Sequence, residues 1–396
     1  MTTFYEPGAP AIGGGIPLCA PEIGGNEWKY IKDCLDTGWV SSVGSYVDRM
    51  EKEMAARVGT SYAVAAVNGT SAIHIALLVI GIESHDEVIT SDLTFIAPAN
   101  AIRYVNAWPV FIDAEAEYWQ MDPQKLKDFL EHECRWRGGS LVNKTSGRRI
   151  KAIMPVHILG HPVDMDPIRE LAQRFNLIVI EDATECLGAR YKGKPAGSLG
   201  DISCFSYNGN KIITTGGGGM INTDNQVWAK KCKYLTTQAK DDALEFVHGE
   251  VGYNYRLTNI SAAMGVAQLE RLDEFIEKKR IIAQRYNDSL GSIPGIQPMR
   301  EADWAFSIFW MYTVLVEGDR FGLDSRALIR KLAEDSIQSR PLWQPMHLSP
   351  AMRGCQSYHC EVSELLNHRA ISLPCSVGLS REDQQIVIAR IKELAQ

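Results

Sequence analysis

The chain has 396 residues, 45% hydrophobic and 22% charged, the balance of a soluble globular protein long enough for two unequal units. Its 41 basic and 48 acidic side chains leave a net charge of −7 without a long basic run, so nothing favours binding to nucleic acid or to an anionic membrane. Nine cysteines form no Cys-x-x-Cys pair, and Cys355 and Cys360 have no partners to complete a zinc set; free thiols in a reducing cytosol and no metal site are expected.

The opening Met-Thr-Thr-Phe-Tyr-Glu-Pro has no basic segment followed by an apolar one, which predicts a cytoplasmic chain without a secretory signal. The apolar stretch 63–81 is interrupted by Asn68-Gly-Thr-Ser71 and is too short to span a bilayer. Without a signal, the sequon Asn143-Lys-Thr145 carries no meaning. Strand-like apolar runs recur at 63–67, 87–90, 109–112, 152–155, 177–181, 202–206 and 219–221, with helix-compatible sequence between most of them. This predicts an α/β domain with a mostly parallel seven-stranded sheet. Residues 131–150 form a polar, partly basic insertion. A long helix over 259–290 leads out of that domain. A strand at 310–316 and helices at 325–335 and 381–394 make a smaller α+β C-terminal domain. The expected division is 1–265 and 266–396.

In such sheets ligands bind beyond the carboxyl ends of the strands, and the chemistry-bearing residues fall there. Asp182 ends the apolar strand 177–181, and Lys211 lies 29 residues on, between Ser206 and the run Gly216–Gly219. A lysine amine can form a Schiff base with the aldehyde of pyridoxal 5′-phosphate. A strand-end aspartate can keep the cofactor's pyridinium nitrogen protonated. Asn68-Gly-Thr-Ser71 opens a helix, where free N–H groups and the helix dipole suit a phosphate; Thr70 or Ser71 serves equally as an N-cap. Phe95, just past a strand, could stack on a cofactor ring or simply fill the core. Glu185 could meet the cofactor's phenolic oxygen or cap the next helix. The glycine run is no Walker loop, lacking the following Lys-Ser/Thr, and no dinucleotide fingerprint, since a strand-like Met-Ile-Asn follows it.

With these residues in hand, the chain resembles the DegT/DnrJ/EryC1/StrS sugar aminotransferases, pyridoxal-phosphate enzymes of fold type I. Gly38-Trp-Val-Ser-Ser-Val-Gly44, Asn68-Gly-Thr-Ser71, Glu181-Asp-Ala183, the 206–219 segment and Gly252-Tyr-Asn-Tyr-Arg256 carry the resemblance, in that order, over almost the whole chain. It implies Lys211 as the cofactor-bonding lysine, Asp182 on the ring nitrogen and Glu185 near the phenolic oxygen, where many members have Gln. It implies Phe95 on the ring and Gly69, Thr70, Ser71 and Ser206 around the phosphate. Asn254 and Arg256 would reach the neighbouring subunit's cofactor in a homodimer with shared sites. L-Glutamate would be the donor and a nucleotide-linked keto sugar the acceptor. Glu27-Trp-Lys-Tyr30, the 208–219 core, the insertion near Asn143 and Val156-His-Ile-Leu-Gly-His-Pro162 look most like the legionaminic-acid and bacillosamine branch. That branch implies a UDP-linked 2-acetamido-4-keto-6-deoxyhexose, with dTDP- or GDP-linked sugars as alternatives. Gly217 stands where many relatives have Glu. Sugar dehydratases on the same scaffold carry His at the Lys211 position, and a non-catalytic cofactor-binding regulator would not need the complete set. For the sugar, the candidates are Ser42 in the 39–44 loop, Trp343 and His347 in the Pro-bounded 340–347 loop, and His157 past a strand end; packing roles for Trp343 and His157 stay open.

Overall fold

The computed structural model describes residues 15–242 and 244–395; the opening segment read for a signal lies outside them. All seven expected runs are strands: Tyr62–Ala66 (β1), Glu87–Ser91 (β2), Trp108–Ile112 (β3), Ile150–Met154 (β4), Ile178–Asp182 (β5), Ile202–Ser206 (β6) and Gly219–Thr223 (β7). Among the described residues the sheet nevertheless has eight strands. Gln356–Tyr358 (β8) pairs parallel to β3 at the edge, giving the order β1-β7-β6-β5-β4-β2-β3-β8. Only β7 runs antiparallel, to both β1 and β6. β2 and β7 are buried along their whole length, as expected of a sheet covered on both faces.

After β1 the chain turns into helix α1, Gly69–Val79, with the Asn68 side chain accepting from the Ser71 N–H at 2.7 Å. Eight of its residues are buried, so this helix is apolar nearly all round, as a helix enclosed by other layers must be. Gly219 sits between Ala66 and Ser206 in the register. A Cβ there would lie 2.5 Å from the Asn68 carbonyl. That close approach, rather than a turn, is why the strand begins with glycine.

The insertion is a β-hairpin, Cys134–Arg137 against Ser140–Asn143, turned by Gly138 and Gly139 at positive φ. Asn143 is fully buried, its amide on Glu87 and Gln356, so the sequon is closed to any glycosyl group. The predicted long helix is two helices, Asn259–Leu269 and Leu272–Leu290, with Arg271 leaving the helical region at φ −110°, ψ 4°. The Glu270 carboxylate at the break accepts from Tyr30, Asn26 and Arg49, which ties the junction to the N-terminal helices Glu27–Thr37 and Ser45–Val58.

The smaller unit holds an antiparallel sheet, Ile296–Pro298, Tyr312–Val316 and Ala370–Leu373, with helices Ser325–Glu334 and Arg381–Leu394. One C-terminal segment returns to the large sheet. Besides β8, the buried Asp113 at the end of β3 accepts from the N–H groups of Val362 and Ser363 at 2.9 and 2.8 Å. Residues 356–358 therefore extend the large sheet and the N-terminus of helix Glu361–Arg369 is anchored on it, although the elements of the smaller antiparallel sheet lie on either side in sequence.

Candidate active site

A cavity of about 770 Å³ opens beyond the carboxyl ends of β1, β2, β5 and β6, the size and place expected of a small-molecule site. Asn68, Gly69 and Thr70 enter it from the β1 turn, Phe95 from beyond β2, Thr184 and Glu185 from beyond β5, and Ser206 from β6. Lys211 reaches it from the following loop. The smaller unit closes it with Trp310, Gln338, the 340–344 segment and Ser372, and the N-terminal segment adds Cys19.

Lys211 Nζ lies 3.4 Å from Glu185 Oε1 and 4.0 Å from the centre of the Trp310 ring. Glu185 is buried, and its other oxygen accepts the Leu159 N–H at 3.0 Å. Burial pushes its carboxyl above the ordinary glutamate value, and the nearby Lys211 charge only partly opposes this. Asp182 is buried beside Thr184, whose N–H it accepts at 3.1 Å. Burial likewise raises it, against the pull of Thr184 and Lys211. Among the described residues no basic side chain pairs with Asp182 within 4 Å. A buried carboxylate left with so little compensation favours a cationic N–H brought in from outside.

The glycine-serine corner is tight. A Cβ on Gly69 would stand 2.8 Å from the Ser206 Cβ and 3.2 Å from the Thr184 methyl. The N-terminus of α1, the Ser206 hydroxyl and the Lys211 amine thus converge on one cavity, and together they fit a phosphorylated aldehyde. Ser71 does not join them: it is buried, outside the cavity lining, with its N–H committed to Asn68.

Two expected sugar contacts, His157 and His347, have protein partners of their own and do not line the cavity. His157 is fully buried; Nε2 meets Glu181 at 2.9 Å and Nδ1 accepts from Val163 N–H. Burial works against the Glu181 charge, but His157 and the N–H groups of Gly197 and Gly200 more than offset it and hold that carboxyl below its usual value. His347 turns from the cavity to Asp92 at 2.8 Å and Glu364 at 3.1 Å. Asp92, His347 and Cys360 stand close enough together to hold a metal ion, a grouping that spacing in the sequence did not reveal. Trp343 does line the cavity. Ser42 and Arg256 share a separate small hollow with Lys233 and Thr237, and Asn254 is exposed. Within one chain these three do not meet Lys211. Sequence reasoning missed Trp310 and Leu159. Only the latter left a trace, in a His-Ile-Leu-Gly-His-Pro turn that holds Leu159 at φ 60°.

A cavity-facing lysine at the strand ends of this sheet, with a buried aspartate and a glycine-serine corner, defines a fold type I pyridoxal-phosphate enzyme. The sequence pattern of the DegT/DnrJ/EryC1/StrS aminotransferase family matches residues 21–392. The chain is 40% identical over 378 residues to a GDP-perosamine synthase of Escherichia coli O157:H7, covering 96% of this chain and 98% of that one. It is 39% identical over 377 residues to EpsN of Bacillus subtilis, a putative pyridoxal phosphate-dependent aminotransferase, covering 94% of each. A crystal structure of a DegT DnrJ EryC1 StrS aminotransferase from Brucella abortus superposes with a TM-score of 0.85 at 25% identity, over 93% of this chain and 95% of that one. The protein belongs to the DegT/DnrJ/EryC1/StrS family. It is a pyridoxal-phosphate-dependent sugar aminotransferase.

Proposed function

We propose that the enzyme moves an amino group from L-glutamate to C4 of a GDP-linked 4-keto-6-deoxy sugar. The GDP nucleotide, in place of the UDP expected from the sequence, follows the GDP-perosamine synthases, which match at 40% identity over nearly the full length of both chains. The observation that carries the chemistry is the Lys211 amine beside buried Glu185, in the same cavity as the Gly69–Ser206 corner.

Bound cofactor would supply an aldehyde to carry the amino group and a ring to take up electrons. Lys211 would hold that aldehyde, and its amine, when free, would serve as the group that carries the proton at the substrate carbon. Asp182 would keep the ring nitrogen protonated. Glu185, kept high by burial, would meet the ring's phenolic oxygen. Gly69, Thr70 and Ser206 would receive the phosphate, Phe95 would cover the ring, and Trp343 with Arg340 would border the sugar. Ser42, Asn254 and Arg256 complete the site of a second copy. The exposed Trp28, Trp39, Val40 and Val43 on the N-terminal helix and loop give that copy apolar surface to cover. Among the described residues no helix is long and apolar enough to cross a membrane, and nine free cysteines suit a reducing cytosol.

The test offers L-glutamate with GDP-, UDP- and dTDP-linked 4-keto-6-deoxy sugars and reads 2-oxoglutarate release. Turnover fastest with the GDP sugar is expected; a UDP preference would restore the branch read from sequence. Borohydride should fix the cofactor on Lys211, and Lys211→Ala should be inactive. Full activity of Lys211→Ala would overturn the assignment. Mixing inactive Lys211→Ala with inactive Arg256→Ala should regain activity through hybrid dimers. No gain on mixing, with subunit exchange shown, would place Arg256 outside the shared site.

A further inference from the structure

Trp310 is 4% exposed, yet it borders the cavity and makes two contacts that converge on Lys211. Its indole N–H donates to the carbonyl of Asn210, the residue just before the lysine, at 2.7 Å. Its ring lies under the lysine amine at 4.0 Å. Its own carbonyl accepts from the buried Lys279 ammonium at 2.6 Å, so its backbone is held from behind. A free lysine side chain has among the largest rotamer entropies to lose on being fixed. The Glu185 contact at 3.4 Å is too long to fix it alone. An aromatic face at this distance attracts an ammonium without binding it through a directional donor, so the amine can leave the face and return.

We propose that Trp310 is the positioning residue for Lys211: its ring face receives the amine whenever the cofactor releases it, and its N–H on Asn210 fixes the lysine-bearing loop against that face. This rests on Lys211 being the cofactor-bonding lysine.

The experiment uses Trp310→Leu, which removes face and N–H, and Trp310→Phe, which keeps a face and removes the N–H. Borohydride reduction and peptide mapping come first. Label away from Lys211 would sink the functional assignment itself, independently of Trp310. The holoenzyme is then converted with L-glutamate, leaving Lys211 free, and acetylated with acetic anhydride across a pH series. Mass spectrometry follows the Lys211 peptide. Trp310→Leu should shift the acetylation midpoint down by ~0.4 to ~1.5 pH units, the worth of a lost cation–π contact. Trp310→Phe should keep the midpoint but slow the L-glutamate half-reaction about fivefold, as one lost hydrogen bond allows. A wild-type midpoint in folded Trp310→Leu overturns the proposal. So does a wild-type half-reaction rate in Trp310→Phe, and that arm decides if the Leu variant does not fold.

Discussion

Asp182→Asn should separate stability from catalysis. The carboxylate is buried, burial raises it, and its clearest protein partner is the Thr184 N–H on one oxygen. Asn has the same shape, and its amide oxygen can keep that bond. Removing a buried charge also removes its desolvation cost. We therefore expect a melting temperature within a few degrees of wild type, or above it. Catalysis should behave differently, because Asn cannot hold a proton on the cofactor's ring nitrogen. An opposite charge at close range is worth ~1–3 pKa units, and each unit is about tenfold in rate when lost from the transition state. Turnover should fall by ~10 to ~1,000-fold. The assay pairs differential scanning calorimetry of the holoenzyme with a stopped-flow L-glutamate half-reaction. A wild-type half-reaction rate would show that another acid faces the ring. A large loss of stability with unchanged chemistry would make Asp182 a packing residue.

Other perturbations read different parts of the structure. Gly69→Ala forces a Cβ to 2.8 Å from Ser206; it should cost about 1–3 kcal/mol of stability and weaken cofactor binding, read by thermal melts and cofactor titration. Trp343→Ala should raise the sugar KM about tenfold with little change in the L-glutamate half-reaction. His347→Ala should leave the sugar KM alone and lower stability. Asp92 and then Glu364 raise His347 against its partial burial, so its contribution is full below the ordinary histidine value and fades as pH rises through the raised one. His161 runs the other way: burial depresses it to about 4, so its neutral form supports the fold above ~6.5 and that support, about 3 kcal/mol, drains away as the pH falls toward 4. Urea midpoints at pH 7 and pH 4.5 for wild type and His161→Gln should show a smaller acid loss in the variant.

The seven longer strands were legible because branched apolar residues cluster in short runs with turn signals between them. That Lys211 reaches the cavity and that Asp182 is buried at a strand end were legible because a strand end and a following glycine run frame them. What escaped depended on partners distant in sequence. Gln356-Ser-Tyr358 is three residues with little apolar character, a strand only because β3 offers an open edge. His157 resembled a ligand contact until Glu181, 24 positions on, took its ring. His347 did so until Asp92, 255 positions away, took it. Trp310 gave no signal, since the carbonyl that fixes it lies 100 positions earlier. The helix break at Arg271 follows from anchoring on the N-terminal helices, which no local propensity encodes.

The edge strand β8 constrains how such enzymes can be recombined. A chimera joined near residue 265, meant to exchange sugar preference by replacing the C-terminal part, would also replace the strand that finishes the large sheet and the segment capped by Asp113. The donor's strand would have to fit the recipient's β3 register. A graft limited to 338–344 would carry much of the cavity wall contributed by the C-terminal part and leave that seam intact.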